Sequence, residues 1–141
     1  MIEFGGFNEY DTDALIEAEK GIDLKFDSGE VITVLRAGGA NKNYTRTLQR
    51  LMRPHQRKIE NKTMSIDESD ALMAKVYAQS VLIGWDGVVD AKGKAVEFTQ
   101  GNAEALLMQK RDLFREIQSF ANSLEAFRKD QLEEVAEDLG N

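Results

Sequence analysis

Few residues of this chain have the type and spacing to do chemistry. Asp67/Asp70 and Glu133/Glu137 lie three and four residues apart, which puts two carboxylates on one helical face. Such a pair could hold a divalent cation or work as acid and base. No ordered constellation accompanies either pair, and a solvated helix face is the plainer reading. Ser65 or Ser69 with His55 could form a nucleophile pair, but nothing like a nucleophile elbow surrounds either serine. His55 is the single histidine; it falls on an apolar stripe, as a core or boundary histidine does. Gly84-Trp85-Asp86-Gly87 lacks both the Lys-Ser/Thr of a phosphate loop and the strand–GxGxxG–helix setting. Trp85 reads instead as a core or interface anchor whose indole N–H needs a partner. The chain has no cysteine, which removes disulfides, thiol catalysis, cysteine-bound zinc and iron–sulfur clusters. The expectation is a protein that is not an enzyme and has no metal and no cofactor.

Binding chemistry is better represented. Arg46, Arg50, Arg53 and Arg57 recur at four, three and four, one row on a helix. No acid stands four residues from them to neutralise the row, and like charges at that spacing repel by a few tenths of a kcal/mol per pair. Three readings stay open: contact with phosphates, pairing with acidic helices, and plain solvation. The acidic protein partner is the favoured one, and nucleic acid is not expected. The charge along the chain agrees. Residues 1–30 carry nine acids and two lysines, residues 36–62 carry eight bases and one acid (Glu60), and residues 63–141 carry fifteen acids and eight bases. Segments of −7, +7 and −7 suit self-association better than coating nucleic acid.

The elements that must position these residues follow from periodicity. At 141 residues the expectation is a single domain with a core of its own. No apolar run approaches the ~20 residues that span a bilayer and no signal-peptide pattern opens the chain, so a soluble protein without a membrane partner is expected. Residues 1–21 read as an acidic arm, in which Ala14, Leu15, Ile16 and Ala18 could make a short helical turn. Ile22, Leu24 and Phe26 alternate with Asp23 and Lys25, and Val31–Leu35 is β-branched, so residues 22–40 read as a β-hairpin with its turn at Asp27–Glu30.

The remainder, 43–139, reads as about four helices, giving an α+β, predominantly α fold. The first covers 43–61, with Tyr44, Leu48, Leu51, Met52, His55 and Ile59 on its apolar stripe and a break at Arg53 before Pro54. Ser65-Ile66-Asp67-Glu68 is a capping box for a helix to about Ile83, with Ile66, Met73, Val76 and Ile83 on one face. Gly84–Gly87 stops it, and a short hairpin-like loop occupies 86–98. Thr99 or Asn102 caps a helix over Ala103–Gln109. A long helix is expected over Asp112–Asp138, with a heptad-like seam of Leu113, Ile117, Phe120, Leu124 and Phe127 broadened by Phe114 and Ala121. Leu132, Val135 and Leu139 continue it on a shifted stripe. Its acidic end, Glu133, Glu134, Glu137 and Asp138, opposes the helix dipole.

The order of these pieces resembles a known family. Val81-Leu82-Ile83-Gly84-Trp85-Asp86-Gly87-Val88 runs through Asp90, Gly93-Lys94 and Val96-Glu97-Phe98-Thr99 into Asn102–Leu107. Asp112-Leu113-Phe114, Ser119-Phe120-Ala121 and Phe127-Arg128 follow. Upstream stand a hairpin ending in Arg36-Ala37-Gly38, then Asn43-Tyr44 and Arg53-Pro54. The pattern is similar to the tail assembly chaperones of long-tailed bacteriophages.

That resemblance implies a protein that binds the long helical tape measure protein in the host cytoplasm. It implies that the protein keeps the tape measure soluble, recruits tail tube subunits and is absent from the mature virion. It also implies a longer, frameshifted form that contacts the tube protein. On this view Arg46, Arg50, Arg53, Arg57, Trp85, Phe114, Phe120 and Phe127 are the candidate partner-binding residues, with self-association expected. The alternative is a structural tail or head–tail connector subunit.

Overall fold

The alternation over 22–26 and the β-branched run after it fold into the expected antiparallel hairpin. Strand β1 is Ile22–Lys25 and β2 is Val31–Val34, with Ile22 opposite Val34 and Leu24 opposite Ile32. The structure, a computed structural model, describes residues 1–129. Gly21, just before β1, has φ +72, and a Cβ there would lie 2.6 Å from the Val34 carbonyl oxygen. Glycine alone fits that approach without strain.

The next helical run follows its local signals closely. Helix α1 is Lys42–Met52, a 3-10 turn covers Arg53–His55 with Pro54 near its start, and α2 is Gln56–Glu60. The break falls at Arg53, as a missing donor at Pro54 requires. Helix α3, Ile66–Ser80, opens on the expected cap: Ser65 Oγ accepts from the Glu68 N–H at 3.0 Å.

The end of α3 departs from expectation. The helix stops at Ser80, and Leu82–Asp86 is a third strand, β3, paired antiparallel with β2. The Gly84-Trp85-Asp86 segment is therefore sheet and not a helix stop. Val34 faces Leu82 and Thr33 faces Gly84, so Ile83 is the extra, unpaired residue of a bulge. Without the bulge Leu82 and Trp85, three apart, would point to opposite faces. With it, Leu82 meets Val34 and Trp85 meets Ile32 on the inner face, and Ile83 stays 40% exposed. The face expected for α3 is also displaced: Leu72, Ala74, Val76, Tyr77 and Ala78 are buried, whereas Ile66 is 78% exposed.

Residues 87–98 form the hairpin-like loop, closed by a bridge between Val89 and Ala95. Helix α4 is Gln100–Gln109, capped by Thr99, whose Oγ1 accepts from the Asn102 N–H at 3.0 Å. Helix α5 is Arg111–Ala121. The long helix expected from Asp112 to Asp138 is thus interrupted after Ala121. Asn122 Nδ2 donates to the Gln118 carbonyl at 2.8 Å and to the Tyr77 hydroxyl at 3.2 Å, and a 3-10 turn, Glu125–Phe127, carries Phe127 back to the core. Leu132, Val135, Leu139 and the acids Glu133, Glu134, Glu137 and Asp138 lie outside the described residues.

The fold is thus α+β: a three-stranded antiparallel sheet, β1-β2-β3, and five α-helices among the described residues. Its core joins Ile32 and Val34 of the sheet to Tyr77 and Val81, to Leu107 of α4 and to Phe114, Ile117 and Ala121 of α5. The acidic arm is fastened at its base. Its short helical turn is a π-helical one, Ile16–Lys20. There Glu17, 2% exposed, pairs with Arg36 and accepts from Thr12 Oγ1 at 2.8 Å. Thr12 bridges Arg128, and the Lys129 N–H donates to the Asp11 carbonyl at 2.8 Å. Residues 1–10 are exposed throughout.

Candidate partner-binding face

An arginine row needs a rigid helix beneath it, and α1 is held firmly at its start. Asn41, 2% exposed, donates through Nδ2 to the carbonyls of Arg36 and Ser80, each at 2.8 Å. This ties the hairpin exit and the end of α3 to the start of α1. Along its inner side Tyr44 meets Tyr77 edge-on at 6.0 Å between centroids, and Tyr77 meets Phe114 edge-on at 5.3 Å. Burial pushes the Tyr77 phenol well above the ordinary tyrosine range; Tyr44 adds to this and the hydrogen bond from Asn122 opposes it. Burial also raises Tyr44.

On the outer side Arg46, Arg50, Arg53 and Arg57 are all exposed. Met52 and Arg53 keep near-helical backbone angles, φ −72 and −52, and His55, at φ −105 and ψ 7, leaves them before α2 begins at Gln56, so Arg46, Arg50 and Arg53 stand on α1 and its 3-10 turn and Arg57 on α2. At 1.5 Å per residue Arg46 to Arg57 spans about 16 Å. Arg50 donates to Gln79 Oε1 at 2.8 Å. None of the four makes an ion pair among the described residues. The acids nearby are engaged elsewhere. Glu68 takes Lys58 at 2.7 Å, and that hydrogen bond holds its carboxyl below the usual range. Glu60 accepts from Gln56 at 3.1 Å.

The other candidate residues are placed differently. Phe114 is 3% exposed and Phe127 is fully buried, so neither is presented on the surface; both are core. Phe120 is half-buried, with its ring 6.1 Å from that of Phe127. Trp85 is half-buried, meets Phe98 edge-on at 5.1 Å and donates Nε1–H to the Val96 carbonyl at 2.8 Å. It therefore staples the 87–98 loop to β3. The arginines are exposed along α1, its 3-10 turn and α2, and the aromatic candidates stand on other elements. Among the described residues there is no cluster of three or more His, Asp or Glu placed to hold a metal ion, and no helix long and apolar enough to cross a membrane.

Sequence reasoning missed one surface feature. Ile2, Phe4, Phe7 and Tyr10 in the arm are 62–87% exposed. Their density of aromatic rings in a segment with neither a strand nor a helix period was the available signal.

The α+β frame and the exposed arginine row lie largely within a stretch that matches a known family. Residues 39–138 match the family described as YdaY prophage protein. That stretch is well over half of the chain, and the chain belongs to this family. It takes in the arginine helix, the bulged strand and α5. Neither curated proteins nor solved structures give a match.

Proposed function

We propose that this prophage protein is a non-catalytic tail assembly chaperone that binds the tape measure protein in the host cytoplasm. It keeps that client soluble and helps to bring tail tube subunits to it. The observation that carries the reading is the row Arg46–Arg50–Arg53–Arg57, exposed on a braced helix without an acidic partner among the described residues. A single exposed ion pair contributes about 0–1 kcal/mol. Four in register along ~16 Å favour a partner that repeats acids on one helical face, and they speed its encounter. A long helical client offers that repeat. The block Val81–Leu107, whose residues resemble the chaperone pattern, supports the same reading.

Within the seam Leu113–Phe127, Ile117 and Phe127 are buried in the protein's own core together with Phe114 and Ala121, while Leu113, Phe120 and Leu124 stay half-buried. On this reading the arginine row makes the first, exchangeable contact with the client. Co-expression with the tape measure protein of the same prophage tests the proposal. The client is expected in the soluble fraction only when this protein is present; equal solubility without it refutes the reading. Mass spectrometry of purified virions separates the connector alternative, which requires stoichiometric copies in the particle.

A further inference from the structure

The first ten residues carry five large apolar side chains with nothing over them. Met1, Ile2, Phe4, Phe7 and Tyr10 are 124%, 75%, 87%, 72% and 62% exposed. Phe7 stands at φ 55, a conformation a bulky residue rarely holds without a partner that fixes it. Gly5 and Gly6 precede it with open space around them. The base of the arm, by contrast, is pinned through Thr12, Glu17 and the contacts to Arg128 and Lys129. A fastened stem with an uncovered aromatic tip is the form of a docking element.

The same molecule offers a receptor. A groove of about 470 Å³ lies between the hairpin turn, the 87–98 loop and the start of α5, floored by Phe26, Ile32, Val88, Val89, Leu106 and Leu113. A second hollow of about 430 Å³ continues it along α4 under Trp85. Together they have room for two aromatic side chains and their backbone. The charges favour the arm. Lys110 in the groove and Lys92 and Lys94 on the loop are exposed and make no ion pair among the described residues. The arm carries Glu3, Glu9 and Asp11, all exposed. The groove's own acids are mostly engaged: Asp112 pairs with Arg115, and Asp90 accepts from the Lys92 and Lys94 N–H groups. Glu30 is different: a hydrogen bond from Ser28 holds its carboxyl below the usual range, while its Oε1 is shielded and has no hydrogen-bond partner among the described residues. A main-chain N–H of an inserted peptide supplies the missing donor.

We propose that residues 1–10 of one copy insert into the groove of a second copy, joining protomers head to tail. Stem and groove lie at opposite ends of α5. The Glu17 carbonyl of the stem accepts from the Arg36 N–H, the N–H of the next residue, Ala37, donates to the carbonyl of Ala121 that ends the helix, and Lys110–Leu113 begin it, about 16 Å away along its axis. Knob and hole are thus different patches of one surface, the heterologous arrangement that builds rings or open chains. This proposal stands on the arm and the groove, and it does not depend on the chaperone reading.

Sedimentation velocity on the full chain at about 100 μM, far above the micromolar range of modest interfaces, is the test. Wild type is expected to associate. Phe4→Asp/Phe7→Asp and Val89→Asp/Leu106→Asp are each expected to be monomeric. Mixed one to one, the two variants have one intact arm and one intact groove between them and are expected to form a dimer. Unchanged melting of the arm variant and of Val89→Asp alone keeps folding out of the comparison. A monomeric wild type, an arm variant that still associates, or a mixture that stays monomeric overturns the proposal. Because the chain has no cysteine, Phe4→Cys/Val89→Cys reports the connection directly. A ladder of crosslinked copies on oxidation is expected, and closure within single chains overturns the proposal.

Discussion

Tyr77 shows how one residue ties stability to pH. Its ring lies between Tyr44 and Phe114, and its hydroxyl accepts from Asn122. Burial raises its folded pKa above the ordinary tyrosine value of about 10. A raised folded value means that the stabilisation is complete below the unfolded pKa and is lost as pH rises beyond it. Melting temperatures taken from pH 8 to 11 are expected to fall more steeply for wild type than for Tyr77→Phe, which itself loses about 1 kcal/mol at neutral pH with its hydrogen bond. Parallel slopes would contradict this. Glu17 gives a second prediction. Removing it by Glu17→Ala leaves Arg36, 18% exposed in its side chain, without its partner and Thr12 without its acceptor. The expected loss is about 3 kcal/mol, or roughly 10 °C in Tm. Trp85→Ala is expected to cost about 3 kcal/mol, read by denaturant unfolding, and to leave client binding intact, since Trp85 braces a loop and stands apart from the arginine face.

At the scale of elements, what was legible in the sequence was what neighbours in the chain decide. The β1–β2 hairpin, the break at Arg53, the Ser65 cap and the Thr99 cap all rest on contacts within a few residues, and each is found where its signal lies. Ser65→Ala is accordingly expected to cost about 1 kcal/mol, measured by thermal unfolding. Two elements were hidden by tertiary effects. The bulge at Ile83 interrupts the period-two pattern of β3, so Val81-Leu82-Ile83 resembled the end of a buried helix. The end of α5 is set by Phe127 returning to Phe120 and by Asn122 reaching Tyr77, contacts that a heptad count does not contain. The candidate site divided in the same way. Helical spacing sufficed to place the four arginines on one face. Burial of Phe114 and Phe127 depended on the packing of α5 against the sheet and α3, and the seam alone could not separate core from interface.

At the scale of the whole molecule, the charge pattern gains structure. Within the basic segment Arg46, Arg50, Arg53 and Arg57 lie exposed along α1, its 3-10 turn and α2, and among the described residues Arg36 and Lys58 are the members of the segment with acidic partners. The acidic N-terminal segment is fastened through Glu17 and presents its remaining acids beside exposed aromatics. A client held by the arginine face should be released by salt, because exposed charges lose most of their attraction beyond a Debye length of about 8 Å at physiological ionic strength. Pull-down of the tape measure protein is therefore expected to weaken between low and high salt, and a salt-insensitive complex would point to an apolar contact instead. The central claim is tested most directly by reversing the face. Arg46→Glu, Arg50→Glu, Arg53→Glu and Arg57→Glu together break no ion pair among the described residues, so melting should stay close to wild type. Co-expressed with this quadruple variant, the tape measure protein is expected to be insoluble, as it is expected to be alone. A tape measure protein that remains soluble and co-purifies with the folded variant would contradict the account.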